Sequence, residues 1–186
     1  QMWAAQYIDR EVPRTFLSSG GAGTMGFGLP AALGAQIACP DEQVVCISGD
    51  GSIQMCIQEM ATIAVNDLPI KVVIVNNSAL GMVHQWQDLF YGKRFAATEL
   101  SDVPDFLTLA DAYGWKGFRV FDPAGLEETM SAFLAADGPA LLDLRIPREE
   151  RVFPMVAPGA AIDDVIGAVS VGDISNQIEN SEEADR

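Results

Sequence analysis

Val44-Val45-Cys46-Ile47-Ser48-Gly49-Asp50-Gly51-Ser52 and, further along, Ile70-Lys71-Val72-Val73-Ile74-Val75-Asn76-Asn77 are the two stretches that decide the fold of this chain. Each contains a short apolar, β-branched run that stops abruptly, the first at Gly49 and the second at Asn76. Short unbroken runs of this kind suit strands buried on both faces. Between them Ile53, Ile57, Met60, Ala61, Ala64 and Val65 recur at helical spacing. Asp67-Leu68-Pro69 then ends the helix, because proline cannot continue it and restricts the residue before it. Strand, helix, strand is a βαβ unit with a right-handed crossover. If the two strands pair directly they lie about 4.8 Å apart, and the loops after their C-terminal ends face each other. One cation can then bind both Asp50 and Asn77.

Magnesium takes hard oxygen ligands in near-octahedral geometry, usually one or two carboxylates, water and phosphate oxygens. Asp50 supplies the charge and Asn77 a neutral carbonyl, while Gly49 and Gly51 let the backbone approach a phosphate closely. A helix beginning near Ser52 points its unpaired N–H groups at the same place. Gly-Asp-Gly alone is a turn, and Asn-Asn alone a strand end. Together, at this spacing on one βαβ frame, they point to a metal-held diphosphate.

The 186 residues suffice for one well-buried α/β domain, and an apolar content of 49% supports a core. No stretch approaches the ~20 apolar residues of a membrane span, and no signal-peptide pattern is present. A start at Gln1 rather than Met is the start expected of a piece of something longer. Cys39, Cys46 and Cys56 are odd in number, sit in apolar surroundings and lack metal-ligand spacing. Buried, reduced thiols and a cytoplasmic location are therefore expected. A formal net charge of −15 argues against nucleic-acid binding, which needs a basic footprint. The acidity also constrains how a diphosphate binds. Lys71, Lys93 and Lys116 all lie outside residues 49–52 and 76–82, so a metal and backbone N–H groups must neutralise it. Residues 172–186 set Asp173, Glu179, Glu182, Glu183 and Asp185 against Arg186 alone, and read as a polar, frayed tail.

Elsewhere, residues 1–10 read as a helix and Thr15-Phe16-Leu17 as a short strand. Gly20 to Gly28 opens a small-residue helix from about Leu29 to Ala38. Helices are expected over Ala79 to Phe90, Asp105 to Tyr113 and Leu126 to Ala136, and strands over Trp115 to Phe121 and Ala140 to Ile146. Residues 147–160 read as an extended arm. The alternation implies the α/β class, a mostly parallel sheet with helices on both faces. The expected organisation is one domain over residues 1–160 and an acidic C-terminal extension over 161–186.

A rival motif is present. Gly21-Ala22-Gly23-Thr24-Met25-Gly26 satisfies G-x-G-x-x-G, and Asp50 follows roughly where a ribose-binding acid would sit in a Rossmann dinucleotide-binding domain. Against it, Pro13 to Ser19 is a poor buried strand, and Asn76-Asn77 would be left unexplained.

The Gly-Asp-Gly-Ser and Asn-Asn pair resembles the signature of thiamine-diphosphate enzymes. The span from Gln1 to about Pro158 resembles the C-terminal, diphosphate-binding (PP) domain of the acetohydroxyacid synthase (acetolactate synthase) catalytic subunit. The segments that carry it are Gln1 to Gln6, Gly20 to Pro30, Gly49 to Glu59, Val72 to Tyr91 and Val152-Phe153-Pro154-Met155-Val156. Leu80-Gly81-Met82-Val83-His84-Gln85-Trp86-Gln87 narrows the superfamily to this family. The PP domain of another thiamine-diphosphate decarboxylase or carboligase is the alternative.

The resemblance implies thiamine diphosphate and Mg2+ as cofactors, with FAD bound mostly outside this chain. It implies a transferase of branched-chain amino acid biosynthesis that decarboxylates pyruvate and joins the fragment to pyruvate or 2-oxobutyrate. Side chains of Asp50 and Asn77 and the carbonyl of Ala79 would hold the metal. Gly51 and Ser52 would contact the diphosphate, and Gly81 and Met82 would line the cofactor site. The Gly23 backbone would accept a hydrogen bond from the cofactor's 4′-amino group, and Met25 would wedge between its two rings.

Met82, Trp86 and Phe90 share one helical face, a stripe that is ordinarily core packing. By the resemblance, Met82, Val83 and Trp86 line the second-substrate pocket. His84 is expected at the surface, and Glu59 as a solvated or capped helix residue with no proton-transfer role. No catalytic residue is expected in this chain. The family's proton-relay glutamate belongs to the N-terminal domain of a neighbouring subunit, the central domain is also absent, and a Gly-Gln-His diphosphate contact would precede Gln1. The chain alone is expected to be inactive, to bind cofactor weakly and to form a dimer or larger homo-oligomer through uncovered apolar surface. A regulatory subunit is a further partner of the family.

Overall fold

The computed structural model describes residues 1–101 and 104–167; the acidic tail expected over 172–186 lies outside them. Two units follow one another, Gln1–Glu150 and Arg151–Arg186. In the first, α1 (Met2–Tyr7) and α2 (Gly28–Ala38) precede β1 (Val45–Gly49). The crossover to β2 (Lys71–Asn76) contains α3 (Asp50–Ile53), a 3-10 turn (Gln54–Cys56) and α4 (Glu59–Val65). There follow α5 (Gly81–Phe90), α6 (Phe106–Ala112), β3 (Lys116–Val120), α7 (Leu126–Leu134) and β4 (Ala140–Arg145). In the second unit, β5 (Met155–Val156) pairs antiparallel with β6 (Val165–Ile166). That hairpin straddles residue 160.

The four long strands form one parallel sheet in the order β1-β2-β4-β3. Handedness explains where the helices lie. The steps from β1 to β2 and from β2 to β3 run the same way across the sheet, so right-handed crossovers put α4 and α6 on one face. The step from β3 back to β4 reverses direction and sends α7 to the other. The side chains agree. Leu29, Met60, Ile63, Phe106 and Ala110 pack with Val72, Ile74 and Leu141, whereas Phe133 packs with Val73, Ala140 and Leu142. Alternate residues of β2 and β4 thus serve opposite cores, which is why both strands read as continuous apolar runs. Each fully buried Leu, Ile, Met, Phe or Val among them contributes about 1.5–3 kcal/mol.

Several expectations change. The single helix expected between β1 and β2 is split. The 3-10 turn rephases it, so that Ile53, Met60 and Ile63 all enter the core while Met55 is left 57% exposed. Thr15-Phe16-Leu17 forms no strand, because the sheet ends at β1 and nothing pairs with it. Phe16 instead lies under the Arg10 guanidinium, 4.3 Å from the ring centroid. Of the cysteines only Cys46 is buried. Cys56 is half-buried, and Cys39 is exposed because it sits where the chain leaves α2. Among the described residues no helix is long and apolar enough to cross a membrane.

Candidate metal and diphosphate site

β1 and β2 pair in parallel with Gly49 opposite Val75, so the loops beyond them leave the sheet side by side. Asp50 is the first residue of α3, not a residue before it, and is only 2% exposed. Its Oδ1 accepts the Gly51 N–H at 3.0 Å. Its Oδ2 is buried without a hydrogen-bond partner. Burial pushes the Asp50 carboxyl above its ordinary 3.8, against the opposing pull of the backbone amides of Gly51, Ser78, Asp50 itself and Ala79. Those of Ser78 and Ala79 come from the loop after β2, so the two strand ends do converge. A buried carboxylate oxygen left unpaired costs about 1–3 kcal/mol, and a cation would satisfy it.

The second loop is held in a demanding shape. Ser78 adopts φ +54°, the left-handed region that non-glycine residues seldom occupy. Its N–H donates to Asn76 Oδ1 at 3.1 Å, and the Ala79 N–H donates to Asn77 Oδ1 at 3.1 Å. A returning segment braces the turn. The Leu80 N–H donates to the Thr98 carbonyl at 2.8 Å, and the Leu100 N–H to the Ser78 carbonyl at 2.9 Å.

Two glycines are required by space. A Cβ on Gly51 would lie 2.6 Å from Leu80 Cδ2, 3.1 Å from Leu100 Cδ1 and 3.3 Å from Met25 Cε. Three distant segments therefore meet over this one residue, Met25 among them. A Cβ on Gly81 would lie 2.8 Å from Asn77 Nδ2. The glycine loop is docked on the same helix start, since the Gly26 N–H donates to Ser52 Oγ at 2.9 Å. Gly23 closes the preceding turn by donating to the Ser19 carbonyl at 2.7 Å. Residues 8–19 contain no strand, so the strand a Rossmann glycine loop would follow is missing.

On α5 the residue turned inward is Gln85; Met82 is half-buried, and Val83 and Trp86 are exposed. Trp86 meets Phe90 edge to face, with centroids 5.7 Å apart. The Trp86–Phe90 stripe is thus not core packing. His84, expected at the surface, is half-buried and stacked on Phe95 at 4.2 Å between centroids. Among the described residues no group of three or more His, Cys, Asp or Glu could hold a metal. A cation here would need a lone carboxylate, a carboxamide, backbone oxygen and an anionic ligand, a donor set that fits Mg2+ with a diphosphate. A cavity of about 310 Å³ lies elsewhere, at the opposite end of β2 around Lys71, Glu42 and Asp137. Its buried ammonium is spent on the carbonyls of Ala136 and Gly138, so it acts as a structural clip.

Sequence reasoning missed Asp143, Arg145 and Arg148. Asp143 is fully buried in β4, and Arg145 and Arg148 reach the side chain and the carbonyl of Ser78 at 3.4 and 3.5 Å. An acid inside the apolar run Ala140 to Ile146 was the available signal, because a buried charge demands partners.

Residues 1–144 match the family of the thiamine pyrophosphate enzyme C-terminal TPP binding domain. The chain is 48% identical over 170 residues to the acetolactate synthase isozyme 2 large subunit of Escherichia coli (strain K12), across 91% of this chain and 31% of that protein. It is 45% identical over 184 residues to the acetolactate synthase large subunit of Pyropia yezoensis, across 97% of this chain and 31% of that protein. Among solved structures, the thiamine diphosphate-dependent 4-hydroxybenzoylformate decarboxylase of Rhodococcus jostii RHA1 aligns with a TM-score of 0.62 and 34% identity. That alignment covers 67% of this chain and 24% of that one. The chain therefore spans about a third of the length of these curated relatives. The match over residues 1–144, on a parallel sheet whose β1 and β2 ends bring Asp50 and the Asn77 loop together, establishes that the chain belongs to the family of thiamine pyrophosphate enzyme C-terminal TPP-binding domains.

Proposed function

We propose that this chain is the cofactor-binding domain of an acetolactate synthase catalytic subunit and holds the diphosphate of thiamine diphosphate through Mg2+. The observation that carries the reading is the buried, partnerless Oδ2 of Asp50 beside the Asn77 loop. Asp50, the Asn77 carboxamide and the Ala79 carbonyl are the metal ligands. Gly51 leaves room for the diphosphate. Ser52 accepts from Gly26 and so keeps its own hydroxyl proton to donate to a phosphate oxygen. When bound, the cofactor supplies the electron sink for cleaving a 2-oxo acid. The chain's own residues bind and orient. Gly23 would offer its carbonyl to the cofactor amine, and Met25 would lie against the cofactor rings. Gly81 and Met82 border the cofactor, and Met82, Val83 and Trp86 shape the pocket for the second 2-oxo acid, pyruvate or 2-oxobutyrate.

The proton relay belongs to the N-terminal domain of a neighbouring subunit, and the FAD contacts and the remaining domains to the rest of the catalytic subunit. Tyr7, Val12 and Leu17 are 72, 63 and 59% exposed, apolar side chains that another domain or a second copy would cover. A decarboxylase without carboligation is the second reading, favoured by the 34% identity to the Rhodococcus enzyme. Products from the full-length parent separate the two, acetolactate against free aldehyde.

The deciding experiment is calorimetric titration of thiamine diphosphate into the chain, with and without Mg2+, repeated on Asp50→Ala. Magnesium-dependent binding that the variant loses is the expected result. Binding that ignores both magnesium and the variant would overturn the metal assignment. Light scattering on the same samples reads self-association, and a strict monomer at every concentration would refute the oligomer.

A further inference from the structure

Asn76 is the first residue of the Asn-Asn pair, and the metal site as described makes no use of it. It is 1% exposed at the end of β2, and its carboxamide is engaged on both sides. Nδ2 donates to Asp143 Oδ1 at 2.8 Å, while Oδ1 accepts the Ser78 N–H at 3.1 Å. Asp143 is fully buried, and its other oxygen accepts from Arg119 Nε at 2.8 Å and Arg145 Nε at 3.1 Å. A carboxylate paired with two guanidinium groups can only accept. It therefore turns the Asn76 carboxamide one way, with Nδ2 inward and Oδ1 outward. That orientation offers an acceptor where the Ser78 N–H lies when Ser78 takes φ +54°. The left-handed Ser78 stands between Asn77 and Ala79 and sets the turn that holds these two residues side by side in the loop after β2.

We propose that Asp143 is a positioning residue for the metal loop, acting through the Asn76 carboxamide and the Ser78 amide; this rests on the metal–diphosphate reading above. Asp143 touches neither Asn77 nor Asp50 in any hydrogen bond. Its effect on a cation is entirely through the left-handed turn. Arg145 supports the same turn from the side, 3.4 Å from Ser78 Oγ.

The test uses the 186-residue chain with four variants: Asp143→Asn, Asn76→Ala, the two combined, and Asp50→Ala as a control. Asn76→Ala keeps the Asp143–Arg119 and Asp143–Arg145 pairs, so it breaks the relay without stranding a buried charge. The first readout is amide hydrogen exchange and needs no ligand. Exchange at Ser78 should quicken by about tenfold or more in Asp143→Asn and in Asn76→Ala, with the interior amides of β2 and β4 still protected. The second readout is Mg2+ affinity in the presence of thiamine diphosphate. Each single variant should lose about tenfold, and the combined variant should lose no more than the worse single one, because both act along one path. Losses that multiply in the combined variant, or unchanged Ser78 exchange in Asp143→Asn, would overturn the relay. Asp50→Ala should abolish Mg2+ binding; because its carboxylate also faces the Ser78 amide, this variant is read by Mg2+ affinity alone. If Asp50→Ala binds Mg2+ normally, the metal reading and the role given to Asp143 toward the cation both fall, whereas the exchange result still decides whether Asp143 sets the turn.

Discussion

Replacing Gly81 by alanine should separate metal binding from stability. Gly81 opens α5, and an alanine Cβ there would lie 2.8 Å from Asn77 Nδ2. Ordinary contact begins near 3.4 Å, so the carboxamide must retreat by about 0.6 Å. Asn77 Oδ1 would leave its place beside the Ala79 N–H, the bond that now fixes it at 3.1 Å. Magnesium tolerates little of this, since it demands near-ideal octahedral geometry at about 2.0–2.1 Å. Loss of one well-placed ligand bond should cost at least about 1.4 kcal/mol, or tenfold in affinity. Stability should move the other way or stay level. Gly81 has no positive φ, and alanine is favoured over glycine in a helix by up to about 1 kcal/mol. The assay is calorimetric titration of Mg2+ at saturating thiamine diphosphate, alongside thermal melting without ligand. Affinity within about twofold of the unaltered chain, at an unchanged melting temperature, would show that Asn77 is not held as a ligand, since so small a change lies well under 1.4 kcal/mol.

Two further outcomes are expected. Asp105 caps α6 through the Leu107 and Thr108 amides and pairs with Arg119. The Thr108 amide first, and then Arg119, hold its carboxyl down at about 2 from an ordinary 3.8. A depressed folded value stabilises above 3.8 and loses that contribution as pH falls towards about 2. The side chain is 46% exposed, so screening reduces the contribution below the full shift. Asp105→Ala should cost about 1 kcal/mol at neutral pH, and urea unfolding should show the gap closing in acid; a gap that persists there would refute the assignment. Lys71→Met should strand the Ala136 and Gly138 carbonyls, which the ammonium reaches at 2.7 and 2.5 Å. About 1–3 kcal/mol should then be lost, lowering the melting temperature by about 2–4 °C per kcal/mol; an unchanged melt would mean the burial of the ammonium costs as much as the clip contributes.

Much of the candidate site was legible in the sequence because its signals are local. Gly49 to Ser52 and Asn76-Asn77 stand where apolar runs end, and the ends of buried strands are where an α/β fold places ligands. The Met82, Trp86, Phe90 stripe was ambiguous, because helical spacing groups residues on a face without saying what the face meets. The structure turns Gln85 inward and leaves Trp86 and Phe90 at the surface. Thr15 to Leu17 had the composition of a strand but no neighbour to pair with. Asp143 lay outside the site because its partner Asn76 is 67 residues away in the chain.

The sequence by itself determined the four strands of the parallel sheet, most of the helices and the two loop motifs, since periodicity and turn chemistry act over a few residues. Tertiary structure alone decided that β4 inserts between β2 and β3, that α7 takes the opposite face, and that Asp143 orients Asn76. Strand order follows from the handedness of whole crossovers and from which apolar faces can be buried together. The hydrogen-bond partner of a buried acid exists only once that order has brought two distant strands side by side.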